Sequence, residues 1–544
     1  MNKKIIIGSI ATIAVATTLF AAGKSCVNAQ VDGKTSFGHF KKSNSHRSFS
    51  MNKMIKKLNL SEEQETKVKT IVQKYKTNKT KIVATIGPAS DSIEMMGALI
   101  DEGLNVMRLN FSHGSHEEHK TRIEDMRKVC NEKNANIAIL LDTKGPEIRT
   151  MKLQNSKEVA LRTGDTIIFT TDDTYIGNYD KVAVTYKNLP KDVKPKDTIL
   201  LDDGLIALEV LEVNETEINC LIKNSGFLGE HKGLNLPNIS VNLPALSSKD
   251  IADIKFGCEM DVDFIAASFV RKASDVQTLK DELKKHGKEN IRIISKIEND
   301  EGIKNFDEIL NLSDGIMVAR GDLGVEIPIE DVPFAQKTMI EKCNKLGKTV
   351  ITATQMLESM IKNPRPTRAE AGDVVNAILD GTDAVMLSGE SAKGKYPKQA
   401  VATMAKICEK TDYINAEKTF CKNLSLSEAI ASGTVKTADD ICAKAIVILA
   451  ESGDTARNIK RLKPNSIVIA ITTNQKTANQ LSLARGVFST VINKVTDVDD
   501  FHDQAIKIAA GYDFIENHDV VVLTSGANNE IGITNLMKVA VIKK

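Results

Sequence analysis

The sequence predicts an α/β protein: a (β/α)8 TIM barrel with a small all-β lid domain inserted in one loop, followed by an open α/β domain. Three observations lead there. From Thr80 onward, eight short and nearly continuous apolar runs alternate with stretches of helical period. Between the third and fourth runs the texture changes to β-type segments separated by turn residues. After about residue 415 the alternation starts afresh.

Taken in order, residues 1–79 form a leader and arm. Lys3-Lys4 and the apolar stretch Ile5 to Gly23 have the pattern of a secretory signal or a membrane anchor. Two features oppose that reading. Asn110-Phe111-Ser112 is a glycosylation sequon inside a candidate site, and Met51 offers an alternative start. The leader stays open between these readings, with a cytoplasmic protein expected. A helix is predicted near Ser61 to Lys76, where Ser61 caps a first turn containing Glu62 and Glu63.

The barrel is predicted over 80–146 and 244–414. Its strand runs are Lys81–Gly87, Asn105–Ser112, Ile137–Thr143, Phe264–Phe269, Arg292–Glu298, Gly315–Asp322, Val350–Gln355 and Ala384–Glu390. Apolar on both faces, such strands call for a parallel sheet covered by helices, and eight of them suggest closure. An open doubly wound sheet is the alternative. The lid, 147–243, leaves after Gly145-Pro146 and returns near Leu243-Pro244. The C-terminal domain, 415–544, opens with a helix from Ser425 to Cys442 and continues with four strand runs.

Composition narrows the partners. A formal charge of +2 offers no pull toward nucleic acid, and 4% aromatics without tryptophan leave little for base stacking. Small-molecule partners are expected. The eight cysteines form no CxxC or Cys/His cluster, so zinc and redox motifs lack support.

The polar residues at the barrel strand ends carry the chemistry, because that face is the catalytic one in this fold. Glu298 and Asp322 end adjacent runs; two hard oxygen ligands suit Mg2+, or alternatively pair with rim arginines. Asn110, Ser112, Asp142 and Thr143 offer oxygens with a single formal charge, a field suited to a large monovalent cation but equally to strand-end capping. Arg108 and Arg149 can grip phosphate oxygens in fork geometry or serve as rim salt bridges. Lys296 lies two residues before Glu298 on the same strand face, placed to neutralise developing charge or to be a structural ion-pair partner. Gly321 gives backbone amides close access to a carboxylate, or simply makes a turn.

In this order, the strings Ala84-Thr-Ile-Gly-Pro-Ala-Ser90, Arg108-Leu-Asn-Phe-Ser-His-Gly114, Leu141-Asp-Thr-Lys-Gly-Pro-Glu-Ile-Arg149, Lys232-Gly-Leu-Asn-Leu-Pro237 and Ile294-Ser-Lys-Ile-Glu298 resemble the pyruvate kinase family. So do Met317-Val-Ala-Arg-Gly-Asp-Leu-Gly324, Ala353-Thr-Gln-Met-Leu-Glu-Ser359, Pro364-Arg-Pro-Thr-Arg-Ala-Glu370 and Met386-Leu-Ser-Gly-Glu390. The resemblance implies phosphoryl transfer from phosphoenolpyruvate to ADP with Mg2+ and K+. It implies Mg2+ on Glu298 and Asp322, and K+ on Asn110, Ser112, Asp142 and Thr143. Arg108 and Lys296 would hold the transferring group; the Gly321 and Asp322 amides with the Thr354 hydroxyl would hold the substrate carboxylate. Arg149, Lys232 and the loop Asn110, Phe111, Ser112 and His113 would contact the nucleotide. Glu147 implies K+ dependence, and Thr354 with Ser388 and Glu390 implies a proton path.

A homotetramer is implied too. A phosphorylated effector would bind Ala450-Glu-Ser-Gly-Asp-Thr-Ala-Arg457, although Glu451 and Asp454 would repel a phosphate there, and the loop Ser525-Gly-Ala-Asn-Asn-Glu530 lacks a basic or aromatic clamp. Fructose 1,6-bisphosphate activation is therefore expected to be weak or absent. A different barrel acting on phosphoenolpyruvate, or a non-catalytic relative, are the competing readings.

Overall fold

The computed structural model describes residues 78–412, 424–493, 498–512, 514–525 and 534–543. The predicted leader, the helix near Ser61 to Lys76 and most of the loop 525–530 lie outside them. Eight parallel strands close into a barrel: β1 (Lys81–Thr85), β2 (Val106–Asn110), β3 (Ala138–Asp142), then, beyond the insertion, β12 (Phe264–Ala267), β13 (Arg292–Ile297), β14 (Gly315–Ala319), β15 (Thr349–Ala353) and β16 (Ala384–Leu387). Every residue of β1, β3, β12, β14, β15 and β16 is buried.

The pleat divides that burial between two cores. Val83, Val106, Leu140, Phe264, Ile294, Met317, Ile351 and Met386 fill the barrel interior, while Ile82, Met107, Leu141, Ile265, Ile316 and Val385 pack outward against the helices. The helix starts are chemically marked. Ser115 with Glu118, Ser247 with Asp250 and Thr367 with Glu370 each form a reciprocal capping box.

The insertion builds β4 (Val159–Leu161), β5 (Thr166–Thr170), β6 (Lys181–Ala183), β7 (Thr198–Leu201), β8 (Ile206–Val213), β9 (Glu217–Ile222), β10 (Gly226–Leu228) and β11 (Leu234–Asn235). Six of these form one sheet in the order β11-β7-β8-β9-β5-β6, and β10 pairs with β4. Burial alternates along β9, as expected for a sheet covering its own small core. At the C-terminal end, β17 (Ala445–Leu449), β18 (Ile467–Thr472), β19 (Val487–Val491) and β20 (Val520–Ser525) run parallel, and β21 (Leu536–Val541) closes the edge antiparallel to β20.

This C-terminal sheet is fastened to the barrel through buried charge. Lys460 pairs with Asp383 at positions 2% and 3% exposed. Asp383 also accepts from the backbone N–H groups of Val350 and Arg485. Fully enclosed Lys81 donates to the Val487 carbonyl at 2.7 Å and lies 4.0 Å over the Phe488 ring. Burial pulls its ammonium down to about 7, against the attraction of Asp412 and Asp383. Among the described residues no helix is long and apolar enough to cross a membrane.

Lys81 gives a pH test. Between about pH 7 and the ordinary lysine value the unfolded chain holds a proton that the folded chain has lost, so stability rises with pH there. The gain is at most about 1.4 kcal/mol per pH unit. Denaturant unfolding of Lys81→Met should show this slope flattened between pH 7 and 10.

Candidate active site

The carboxyl ends of the barrel strands converge under the lid, and a lysine stands at the centre. Lys296, on β13, reaches Asp142 at 3.1 Å, Glu298 at 3.0 Å and the Ser268 hydroxyl at 2.7 Å. Burial opposes its charge, but Asp142 and Glu298 outweigh that and hold the ammonium above the ordinary lysine range. On β2, Arg108 donates through Nε to Asp142 at 2.7 Å and through Nη1 to Thr85 Oγ1 at 2.8 Å. Asp142 is buried, yet Lys296 and Arg108 keep its carboxyl below the usual range.

Glu298 follows β13, with one oxygen accepting the Phe269 N–H at 2.6 Å. Burial raises its pKa; Lys296 opposes that and Asp322 adds to it. Asp203, on the lid, is likewise raised by burial, then by Asp322 and Asp202. Burial and the nearby Asp322 thus disfavour the charged forms of Glu298 and Asp203, and oxygen donors crowded in this way fit a cation. Among the described residues no group of three His, Cys, Asp or Glu side chains is arranged to enclose a metal by itself.

Gly321 and Asp322 lie in the first turn of the helix Arg320–Glu326, where the sequence suggested a strand end. The chain turns helical directly after Ala319, which points the first amides into the mouth. The Gly321 N–H donates to Thr354 Oγ1 at 2.7 Å, and that hydroxyl donates to the Ala353 carbonyl. Thr354 and Gln355 take φ of +66° and +54°, so strand β15 ends in a strained reversal.

The β2–β3 pairing puts Asn110 beside Asp142. Asn110 Oδ1 accepts the Ser112 N–H at 3.1 Å, and Thr143 is held by Ser268 through both its hydroxyl and its carbonyl. Phe111 departs from the expected nucleotide contact: its ring is 1% exposed, stacks on His119 at 4.0 Å and packs against Phe256. Successive residues point to opposite sides, so a loop that presents Asn110 and Ser112 must bury Phe111. His113 lines the cleft.

From the lid, Arg149 donates to Glu147 at 2.6 Å and to the His231 carbonyl at 2.6 Å, while Lys232 pairs with Asp202 at 2.9 Å. Two adjoining clefts result. One of about 480 Å3 is lined by Arg108, Lys296 and Glu298; the other, of about 580 Å3, by Lys232, Asn235 and Glu326. They share Glu147, Arg149, Asp203, Phe269 and Asp322. Sequence reasoning missed Ser268, Phe269, Lys144 and Asp203. Ser268 and Phe269 close the fourth strand run, so position at a strand end was the available signal.

Anion-gripping cations and excess carboxylates interleaved at a barrel mouth suit an enzyme that handles a polyanionic substrate with metal ions. That class is a barrel phosphotransferase. Residues 77–401 match the pyruvate kinase barrel domain and 428–540 the pyruvate kinase alpha/beta domain. Over 472 residues the chain is 50% identical to a pyruvate kinase of Bacillus licheniformis, covering 85% of this chain and 80% of that one. It is 46% identical to one of Clostridium acetobutylicum, covering 86% and 100%. A solved pyruvate kinase structure from Cryptosporidium parvum superposes with a TM-score of 0.82 at 41% identity, covering 86% of this chain and 97% of that one. The chain belongs to the pyruvate kinase family.

The placement of Phe111 is testable. Phe111→Ala should cost about 3–5 kcal/mol of stability in denaturant unfolding, as for other buried phenylalanines. Phe111→Leu, which keeps the core filled, should leave KM for ADP unchanged.

Proposed function

We propose that the strand-end cleft transfers the phosphoryl group of phosphoenolpyruvate to ADP, giving pyruvate and ATP. The observation that carries this reading is Lys296, enclosed between Asp142 and Glu298 in the cleft that Arg108 and Asp322 share. Glu298 and Asp322 would hold Mg2+, with substrate oxygens and water completing its shell. Asn110, Ser112, Asp142 and Thr143 would hold K+. Bound there, the two cations would supply neutralisation for the transferring group.

The chain's own groups do the rest. Arg108 and Lys296 grip the transferring phosphoryl oxygens, and Lys296 meets the charge that develops on them. The Gly321 and Asp322 amides with Thr354 Oγ1 fix the substrate carboxylate, which requires Thr354 to release the bond it now accepts from Gly321. Arg149, Lys232, His113 and the backbone of 110–112 orient the nucleotide phosphates beneath the lid. For the final protonation at carbon, Thr354 and Ser388 are the candidates. Ser388 Oγ is buried without a protein partner among the described residues, so it is available to hold a water. Glu390 acts by position, since its two oxygens accept the N–H groups of Leu357 and Ser388.

Two further assignments follow. Exposed Ile329 and Phe334 on the barrel and Met537, Val539 and Val541 along the edge strand β21 provide apolar faces for a homotetramer. In the candidate effector loop, Asp454 already accepts from Ser452 and Arg457, and Glu451 from Thr473. That self-satisfied loop favours weak or absent fructose 1,6-bisphosphate activation. A glycan on Asn110 would obstruct the cleft, which favours a cytoplasmic protein.

Purified protein with Mg2+ should form pyruvate from phosphoenolpyruvate and ADP in K+, with little turnover in Na+ alone. Equal turnover in both salts would remove the K+ assignment. Lys296→Met should lower kcat by about 10^2–10^3-fold, the usual scale for one transition-state charge contact. Near-normal kcat in that variant would refute the role given to Lys296.

A further inference from the structure

The lid is joined to the barrel by two legs, and one buried carboxylate touches both. Asp250 is fully enclosed. Its Oδ1 accepts the Gly145 N–H at 2.9 Å, on the leg leaving the barrel. Its Oδ2 accepts the Ser247 N–H at 2.8 Å and the Ser247 hydroxyl at 2.6 Å, on the leg returning. The same residue completes the capping box of the helix Ser248–Glu259, so the carboxylate is anchored to a barrel helix.

The outgoing leg has little freedom at this point. Gly145 takes φ of +77°, and a Cβ there would lie 2.7 Å from Ser268 Cβ and 2.9 Å from the Phe269 ring. Those two residues touch Lys296 and Glu298. Farther along the return leg, Arg271 donates to the Val241 carbonyl at 2.9 Å and the Leu243 carbonyl at 2.7 Å. Arg149 is four residues beyond Gly145, within about 14 Å of the pin even for extended chain.

We propose that Asp250 is a positioning residue that pins the two lid legs to each other and to the barrel. Through them it sets where the lid presents Arg149 and Lys232 to the nucleotide. Asp250 touches no substrate. A carboxylate suits the place because all three partners are donors and no hydrogen is required in return. The proposal rests on the reading of Arg149 and Lys232 as nucleotide contacts.

Its signature is a split between the two substrates. The phosphoenolpyruvate groups sit on the barrel, as do His113 and the 110–112 backbone, whereas the nucleotide contacts Arg149 and Lys232 ride on the lid. Asp250→Ala should raise KM for ADP about tenfold, the scale expected of a modest misplacement, and move KM for phosphoenolpyruvate less than twofold. Ser247→Ala, which weakens the cap but keeps the Gly145 bond, should lower Tm with both KM values unchanged. Asp250→Asn keeps one acceptor oxygen and serves if the alanine variant does not fold; a smaller ADP-selective rise is expected.

Unchanged KM for ADP in a folded Asp250 variant, or equal rises for both substrates, would overturn the proposal. Lys232→Met and Arg149→Ala measured alongside separate the two readings. If these leave KM for ADP unchanged, the nucleotide assignment has failed, and amide exchange decides the pin. Faster exchange at the Gly145 and Glu147 amides in Asp250→Asn then supports it, and unchanged exchange overturns it.

Discussion

The arrangement at the barrel mouth depends on a lysine ammonium held in a nearly closed space by two carboxylates. Removing one partner of such a buried pair is far more costly than the pair is favourable, because the survivor's charge stays out of water. Lys296, Asp142 and Glu298 are therefore locked into mutual dependence, and Arg108 joins them through Asp142. Asp142, Glu298 and Asp322 crowd three carboxyl groups around these cations, and burial with Asp322 nearby pushes the Glu298 carboxyl up. A cation bound among them would relieve that crowding, which is the role proposed for Mg2+.

Holding these groups demands backbone that ordinary strands and helices do not supply. Phe269, Thr354 and Gln355 all adopt positive φ, and each stands within two residues of the end of a barrel strand. On the lid, Asp202 and Asp203 do the same. Phe269 shows what the strain achieves: its N–H meets Glu298 while the adjacent Ser268 hydroxyl bridges Lys296 and the Thr143 carbonyl. The close-packed barrel below supports this strain, since its two apolar cores fix each strand end.

The barrel was legible because strands buried on both faces leave an unbroken apolar record, and each run stops at its polar end. Lys296, Glu298 and Arg108 were legible for the same reason: a charge at the end of an apolar strand has few places to go. Ser268 and Phe269 were not, because their contribution is made by a hydroxyl and a backbone N–H that no residue pattern marks. Phe111 sits inside a functional string, and proximity in sequence concealed that its ring turns into the core. Gly321 and Asp322 fell one step off for a local reason, the helix starting immediately after β14.

The two faces of the barrel use buried charge in opposite ways. On the floor, Lys460 and Asp383 neutralise each other one to one, and Asp383 spends its remaining capacity on backbone amides. Nothing is left over for a ligand, and the result is a rigid seam with the C-terminal domain. At the mouth, Asp322 crowds Glu298 and Asp203, and Ser388 Oγ has no protein partner among the described residues. A satisfied network fixes one arrangement, whereas an unsatisfied one is completed only when ions and substrate arrive. Asp250 belongs by its chemistry to the first kind, yet it stands at the boundary of the second. Its three accepted bonds leave it no reason to meet a ligand, and its position on both lid legs lets it govern where the ligand-binding side chains stand.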